Sequence, residues 1–66
     1  MSGINAGLAK VVKETDFALL VSLDADDGRE YWVPKSQIHD DSEVFKEGQV
    51  GDIIVSSWYA EQKGWI

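Results

Sequence analysis

A β-hairpin pattern in the middle of the chain sets the expected fold class. Over residues 17–23 a strongly apolar set of side chains alternates with a mixed set, which is the period of a β-strand. The apolar set is Phe17, Leu19, Val21 and Leu23. The acidic stretch that follows ends in Asp27-Gly28, a pair that favours the positive φ angles of a hairpin turn. Residues 30–33 are predicted to be the returning strand, which Pro34 ends because proline has no amide hydrogen for a sheet ladder.

Weaker signals extend this β pattern in both directions. Residues 8–15 contain a short β-branched run between lysines and are predicted to form the first strand. Residues 53–56 are predicted to form the last strand. The chain is read as one small β domain over residues 1–66, with residues 1–7 as a candidate flexible segment.

The middle of the chain shows weaker secondary-structure signals. Residues 35–39 are expected to form a loop or a short strand, and Val44-Phe45 a brief strand or a hydrophobic plug. Gly48 and Gly51 are predicted to bracket a turn.

The last residues change character and predict a short helix. Residues 58–63 show no β alternation, and Gly64 follows where a helix C-cap would fall. Ser57 is the candidate N-cap, and Ala60 stands where a capping box would place Glu. Four or five short strands with one short C-terminal helix predict a mostly β fold, a small single-domain barrel or meander of the SH3-like or OB-like kind.

The chain has no cysteine in 66 residues, so disulfides cannot stabilise so small a core. The same absence excludes a thiolate nucleophile, a thiolate zinc site and an iron–sulfur cluster, and it is compatible with a reducing cytoplasm. Three Trp, two Tyr and two Phe supply large apolar areas instead. Self-association is the other source of stability, so we expect a homo-oligomer.

The net charge disfavours one class of binding partner. Twelve acidic residues against six basic ones give a net charge of −6, and a duplex with one negative charge per ~1.7 Å repels such a chain. Nucleic acid is therefore a disfavoured partner. The chain start lacks the basic patch and apolar stretch of a secretory signal, and no segment approaches the roughly 20 apolar residues that span a bilayer. We expect a cytoplasmic protein without a membrane partner.

The chain contains few residues that could act in catalysis. His39 is the single histidine, and neither Gly-x-Ser-x-Gly nor His-Glu-x-x-His occurs in the chain. We interpret His39 as a solvated loop residue beside Asp40. The sequence therefore predicts no enzyme, no catalytic residue and no cofactor.

One acidic segment resembles the start of a calcium loop. Asp24, Asp26, Gly28 and Glu30 place oxygen ligands at alternate positions. With Asp24 as position 1, however, the glycine falls at position 5 instead of 6, and Lys35 stands at position 12 where a bidentate Glu is required. We interpret the segment as an acidic hairpin turn and predict no metal site.

The segment from Trp32 to Gln37 concentrates groups that could hold an anion. Trp32 offers a stacking surface worth about 1–3 kcal/mol for a base, and Lys35 a point charge for a phosphate. Ser36 and Gln37 add directional hydrogen bonds, with Lys13 as a further cation. The competing interpretation, favoured by the small size of the domain, is that Trp32 fills the open end of a small barrel while Lys35 is an ordinary solvated residue.

Three blocks of the chain resemble those of small phage- and prophage-associated β proteins, most of them without an assigned function. The blocks are residues 13–21, 31–38 and 57–64, and the Trp-Val-Pro-Lys-Ser-Gln run is the most specific of them. The resemblance implies a compact β fold and a phage or bacterial setting. Small phage proteins often sequester a host molecule or block a host protein, which is an analogy at the level of the group.

Three functional hypotheses follow. The first is a non-catalytic binding module that binds or sequesters a small anionic, nucleotide-like ligand or a partner through Trp32 to Gln37, with help from Lys10 or Lys13. The second is an acidic inhibitor that meets a basic site on a host protein and weakens with salt. Its surface would be Asp24, Asp26, Asp27, Asp40, Asp41 and Glu43. The third is an OB-type single-strand nucleic-acid binder, ranked last because six scattered cations make a poor electrostatic funnel.

Overall fold

A computed structural model of the protein describes residues 3–66 and contains four strands in one antiparallel sheet. The elements in chain order are β1 (Gly3–Glu14), β2 (Ala18–Leu23), β3 (Arg29–Pro34), β4 (Val50–Ser56) and helix α1 (Ser57–Lys63). The sheet order is β3-β2-β1-β4. The prediction of a mostly β fold with a short C-terminal helix is confirmed.

The segment that follows β3 runs along the outer edge of β4 and so links the two edge strands of the sheet. Ile38 forms an isolated bridge with Val55 of β4, and the backbone amide of His39 donates to the Ile54 carbonyl at 2.8 Å. Farther along, the Glu43 amide donates to the Asp52 carbonyl at 2.9 Å. Residues 38–43 therefore cover the free edge of β4, which would otherwise present unpaired backbone groups.

Strand β1 pairs with both of its neighbours and is bent by two register shifts. Its first part pairs with β4 and its later part with β2, with shifts between Asn5 and Gly7 and between Val11 and Lys13. Gly7 has φ of 98°, a conformation that glycine adopts at low cost in a bulge. The strand begins at Gly3, not at residue 8 as predicted, so residues 3–7 of the candidate flexible segment pair with β4. Residues 1 and 2 of that segment lie outside the described residues.

The predicted central hairpin is present. A 3-10 turn over Asp24–Asp26 is followed by Asp27 with φ of 57° and Gly28 with φ of 78°, so the Asp-Gly pair supplies the expected positive φ angles. The Gly28 amide closes the turn on the Leu23 carbonyl at 2.8 Å. Strand β3 ends at Pro34, also as predicted.

The core lies on one face of the sheet and under helix α1. Its buried members are Ala9, Val11, Leu19, Val21, Leu23, Val33, Val44, Ile53, Val55, Tyr59 and Ala60. Phe17 does not join them, although the alternation places it with Leu19; its side chain is 83% exposed. The reason is a turn before β2, in which the Thr15 amide donates to the Ala18 carbonyl at 2.9 Å and the Thr15 hydroxyl oxygen accepts from the Ala18 amide at 3.0 Å. Phe17 belongs to that turn, where strand alternation does not apply.

The segment between β3 and β4 has little regular structure. A 3-10 turn covers Lys35–Gln37. Val44 is fully buried outside any strand, so it is a hydrophobic plug, whereas Phe45 is largely exposed. Gly48 lies in a turn with φ of 88°, but Gly51 lies within β4, so the prediction that these two glycines bracket a turn is wrong at Gly51.

Helix α1 ends as predicted and begins with a different cap. Gly64 is the C-cap with φ of 74°. Ser56, not Ser57, caps the start: its backbone is extended and its hydroxyl oxygen accepts from the Tyr59 amide at 3.1 Å. Within residues 3–66 the structure has no helix of the length and apolar character needed to cross a membrane.

The different placement of Phe17 and Leu19 can be measured as stability. Leu19→Ala should lower the free energy of unfolding by about 2–5 kcal/mol, because it removes a fully buried side chain and leaves a cavity. Phe17→Ala is the matched control and should change it by less than about 0.5 kcal/mol. Urea unfolding followed by circular dichroism measures both. Equal losses for the two variants would contradict the position of Phe17 outside the core.

Candidate functional site

The outer face of the sheet, opposite the core, carries an exposed tryptophan. Trp32 of β3 pairs in register with Leu20 of β2, and Leu20 pairs with Lys13 of β1. The three side chains therefore form one row across three strands, and Trp32 and Lys13 are separated by about 10 Å, two strand spacings. Trp32 is 48% exposed. The interpretation that Trp32 fills the end of the barrel is therefore wrong.

A second row lies beside the first on the same face. Lys10 of β1 pairs with Ser22 of β2, and Ser22 pairs with Glu30 of β3. On the other side of β1, Lys10 pairs with Val50. A shallow depression of about 210 Å³ opens here, and its lining includes Leu8, Lys10, Ser22, Asp24 and Val50. The Ser22 hydroxyl donates to the Gly28 carbonyl at 2.8 Å, which leaves its lone pairs as acceptors.

The bulge in β1 places Lys10 and Lys13 on the same face. Side chains three apart on a regular strand point to opposite faces. Between Lys10, opposite Ser22, and Lys13, opposite Leu20, β1 uses one residue more than β2 does. The extra residue restores the alternation, so both ammonium groups lie on the outer face, and both lysines are exposed. We call the set Trp32, Leu20, Lys13, Lys10 and Ser22 the Trp32 surface.

Lys35 is engaged elsewhere. Its Nζ lies 2.7 Å from Oε2 of Glu14, and both side chains are about one-third exposed. The hydrogen bond from Lys35 is the largest cause that lowers the pKa of Glu14, and the Glu47 backbone amide lowers it further. The structure therefore pairs Lys35 with a carboxylate at the end of the sheet instead of presenting it to a ligand.

The remaining predicted residues separate after Pro34. Ser36 is exposed on the 3-10 turn. The Oε1 atom of Gln37 accepts from the Ser56 hydroxyl at 2.5 Å, so Gln37 supports the start of α1. The structure brings Trp32 and Lys13 to one face and does not bring Lys35 or Gln37 to it.

His39 lies in the loop after β3 and is half-buried. Its Nδ1 accepts from the Asp41 backbone amide at 3.1 Å and lies 3.6 Å from the Asp41 carboxylate. Across residues 3–66 no group of three His, Cys, Asp or Glu side chains is arranged to hold a metal ion. The Asp26 carboxylate of the acidic turn accepts a hydrogen bond from the Tyr31 hydroxyl.

A second feature, which the sequence did not predict, lies between the hairpin turn and the end of α1. It is an open cleft of about 360 Å³ whose lining includes Asp26, Tyr31, Lys63 and Trp65. The ring of Tyr59 completes an aromatic cluster with Tyr31 and Trp65. We call these five residues the aromatic cleft. They come from two distant stretches of the chain, 26–31 and 59–65, so no local sequence pattern indicates them.

Comparisons with known proteins found no relative of this chain. No protein-family model, no curated protein and no solved structure matches the chain. The Trp32 surface and the aromatic cleft are therefore interpreted from their own chemistry.

The ion pair of Lys35 predicts a pH-dependent signal. The pKa of Glu14 should lie below its ordinary value of 4.5 in the folded chain, and Lys35→Gln should move it back toward that value. Because the folded-state pKa is lowered, the stabilisation is present above the unfolded-state pKa and is lost as pH falls through the folded one. An NMR titration of the Glu14 carboxyl carbon measures the shift. Lys63→Gln is the control and should leave the Glu14 pKa unchanged. If Lys35→Gln also leaves the Glu14 pKa unchanged, the ion pair does not form in solution.

Proposed function

We propose that the protein is a non-catalytic binding module whose ligand is a small anion with a planar ring, such as a nucleotide. The ligand would lie on the Trp32 surface, with its ring on the indole and its anionic group over β1. One observation carries the proposal: a half-exposed tryptophan shares a sheet face with two exposed lysines, and neither lysine forms an ion pair with any residue in 3–66.

Local charge favours an anion here although the chain carries −6. Lys10 and Lys13 lie together on β1, and oriented charges on one face attract ligands more effectively than the net charge suggests. Two carboxylates oppose this attraction: Glu30 lies on the same face two strands from Lys10, and Asp24 lines the depression beside Lys10. Repulsion from Glu30 directs the anionic group away from β3 and toward the lysines.

The Trp32 surface supplies each contact that such a ligand needs. The indole of Trp32 provides a stacking plane, worth about 1–3 kcal/mol for a base, and Leu20 extends the apolar floor beside it. Lys10 and Lys13 supply point charges for a phosphate. The Ser22 oxygen accepts hydrogen bonds from hydroxyl or amide donors of the ligand.

A binding role without turnover is supported by what this surface offers chemically. Its side chains are an indole, an aliphatic group, a hydroxyl and two ammonium groups. Nucleophilic catalysis needs a nucleophile hydrogen-bonded to a base that a third group orients, and the Ser22 hydroxyl donates instead to a backbone carbonyl.

The second candidate function is the acidic inhibitor. All six of its carboxylate residues are exposed, in the hairpin turn and in the loop after His39. A complex held by these groups would weaken steeply with salt, whereas the stacking part of nucleotide binding would not.

That the chain forms a homo-oligomer stays a prediction.

Trp32 can be tested with ADP as the probe. Trp32→Leu should weaken ADP binding by roughly 5- to 150-fold, the equivalent of the lost stacking energy of about 1–3 kcal/mol. Trp58→Leu is the matched control, because Trp58 is 60% exposed on α1, away from the Trp32 surface. Isothermal titration calorimetry measures both variants. No saturable binding of ADP, or equal losses for both variants, would refute the proposal.

The position of the anionic group can be tested by charge. Lys13→Gln should weaken ADP binding several-fold, and Glu30→Gln should strengthen it, because they remove an attraction and a repulsion. Lys35→Gln should leave affinity unchanged, since Lys35 is paired with Glu14. Binding of ADP, adenosine and inorganic phosphate is compared for each variant. If Lys35→Gln costs more affinity than Lys13→Gln, the phosphate does not lie over β1.

A further inference from the structure

We propose that the aromatic cleft is a second binding site, for an organic ammonium cation such as the lysine or methylated lysine side chain of a partner protein. It is independent of the Trp32 surface, because Tyr31 points to the core side of β3 while Trp32 points to the outer face. Three observations carry the inference: the arrangement of the rings, a cation already held against them, and a carboxylate on the wall.

The three rings meet edge to face and do not stack; Tyr31 and Trp65 line the cleft, and Tyr59 is buried. The Tyr31 and Trp65 ring centroids are 5.4 Å apart at an interplanar angle of 86°, and those of Tyr59 and Trp65 are 5.7 Å apart at 74°. Aromatic faces carry the negative part of the ring quadrupole and attract cations. Rings set at right angles can turn one or more faces toward the same small volume.

The chain itself places an ammonium group against these rings. The Lys63 Nζ lies 5.9 Å from the Tyr31 centroid and 5.6 Å from the Tyr59 centroid, both within the ~6 Å range of a cation–π contact. Lys63 is the last residue of α1, and it is exposed. Its flexible stem can therefore leave the rings for water at small cost, which makes Lys63 an internal substitute for an external cation.

A carboxylate completes the site. Asp26 lines the cleft and accepts from the Tyr31 hydroxyl. One hydrogen bond leaves a carboxylate with further lone pairs, which can accept from an N–H group. Asp26 is therefore the group on the lining that attracts a cation, while Lys63 on the lining and Arg29 beside the Tyr31 hydroxyl carry positive charge.

The size and the lining favour an organic cation over a metal ion. The cleft volume of about 360 Å³ lies at the lower end of the roughly 300–1,000 Å³ of small-ligand sites. Asp26 is the one carboxylate on its lining, and a hard metal ion requires several oxygen ligands. Because a primary ammonium is strongly hydrated, a methylated ammonium should bind more tightly to the rings.

The test uses the full chain and three probes, N-acetyl-trimethyllysine amide, N-acetyl-lysine amide and tetramethylammonium chloride, with sodium chloride at matched ionic strength as control. The indole N–H signal of Trp65 in NMR reports binding, and Trp65→Phe assigns it. We expect a saturable shift at Trp65 with no comparable shift at Trp32. Trimethyllysine should bind more tightly than lysine. No saturation at Trp65, or the same shift with sodium chloride, would overturn the proposal.

Two variants separate the cleft from general charge effects. Lys63→Gln should tighten trimethyllysine binding about two- to fivefold, because it removes the internal competitor. Asp26→Asn should weaken binding by a similar factor, while Asp27→Asn, with the same charge change one residue away, should have a smaller effect. Circular dichroism confirms that each variant folds. Unchanged or weaker binding after Lys63→Gln, or equal losses at Asp26 and Asp27, would refute the site.

The outcome is distinguishable from that of the Trp32 surface. Trp32→Leu should leave trimethyllysine binding intact, and Trp65→Phe should leave ADP binding intact. If tetramethylammonium binds as tightly as the trimethyllysine probe, the ligand is a free ammonium compound. If the trimethyllysine probe binds more tightly, the ligand is a side chain of a partner. Both results support an ammonium site and identify its source.

Discussion

The bulge between Val11 and Lys13 in β1 determines on which face of the sheet Lys13 and Glu14 lie. On a regular strand, Lys13 would point to the core side and Glu14 to the outer face. The one extra residue on β1 reverses both, so Lys13 joins Lys10 on the outer face, and Glu14 turns toward the row of Leu19 and Val33. At the end of that row Glu14 meets Lys35. One backbone irregularity therefore pairs Glu14 with Lys35 and leaves Lys13 exposed in the same row as Trp32.

The parts of the fold that the sequence predicted are those governed by local chemistry. The positive φ angles of Asp27 and Gly28 and the ends at Pro34 and Gly64 follow from the backbone limits of those residue types. Gly51, in contrast, depends on a contact outside its own segment. A Cβ atom at position 51 would lie 3.0 Å from the Cβ atom of Glu43 and 2.9 Å from its Oε1, so glycine allows the close approach of that segment. That carboxylate accepts from the Asp52 amide at 2.8 Å, a contact between segments that sequence spacing does not reveal.

Of the residues predicted for the candidate site, Trp32 and Lys13 share a face in the structure, whereas Lys35 and Gln37 lie elsewhere. Trp32 to Gln37 are contiguous in the sequence, but Pro34 ends the strand and a 3-10 turn directs the next residues elsewhere. The partners of Trp32 are instead cross-strand neighbours, Leu20 and Lys13, which register and a bulge bring together. The aromatic cleft was missed for a stronger reason of the same kind, since its rings come from β3, α1 and the residues after α1.

The alternation of β3 explains how so small a domain can carry two surfaces that each contain an aromatic side chain. Tyr31 and Trp32 are consecutive, so their rings point to opposite faces of the sheet. The Tyr59 hydroxyl donates to the Trp32 carbonyl at 2.6 Å and so ties helix α1 to the backbone between the two surfaces. The cations of the Trp32 surface belong to β1 and the carboxylate of the aromatic cleft to the hairpin turn. A single strand thus supplies an aromatic side chain to each surface.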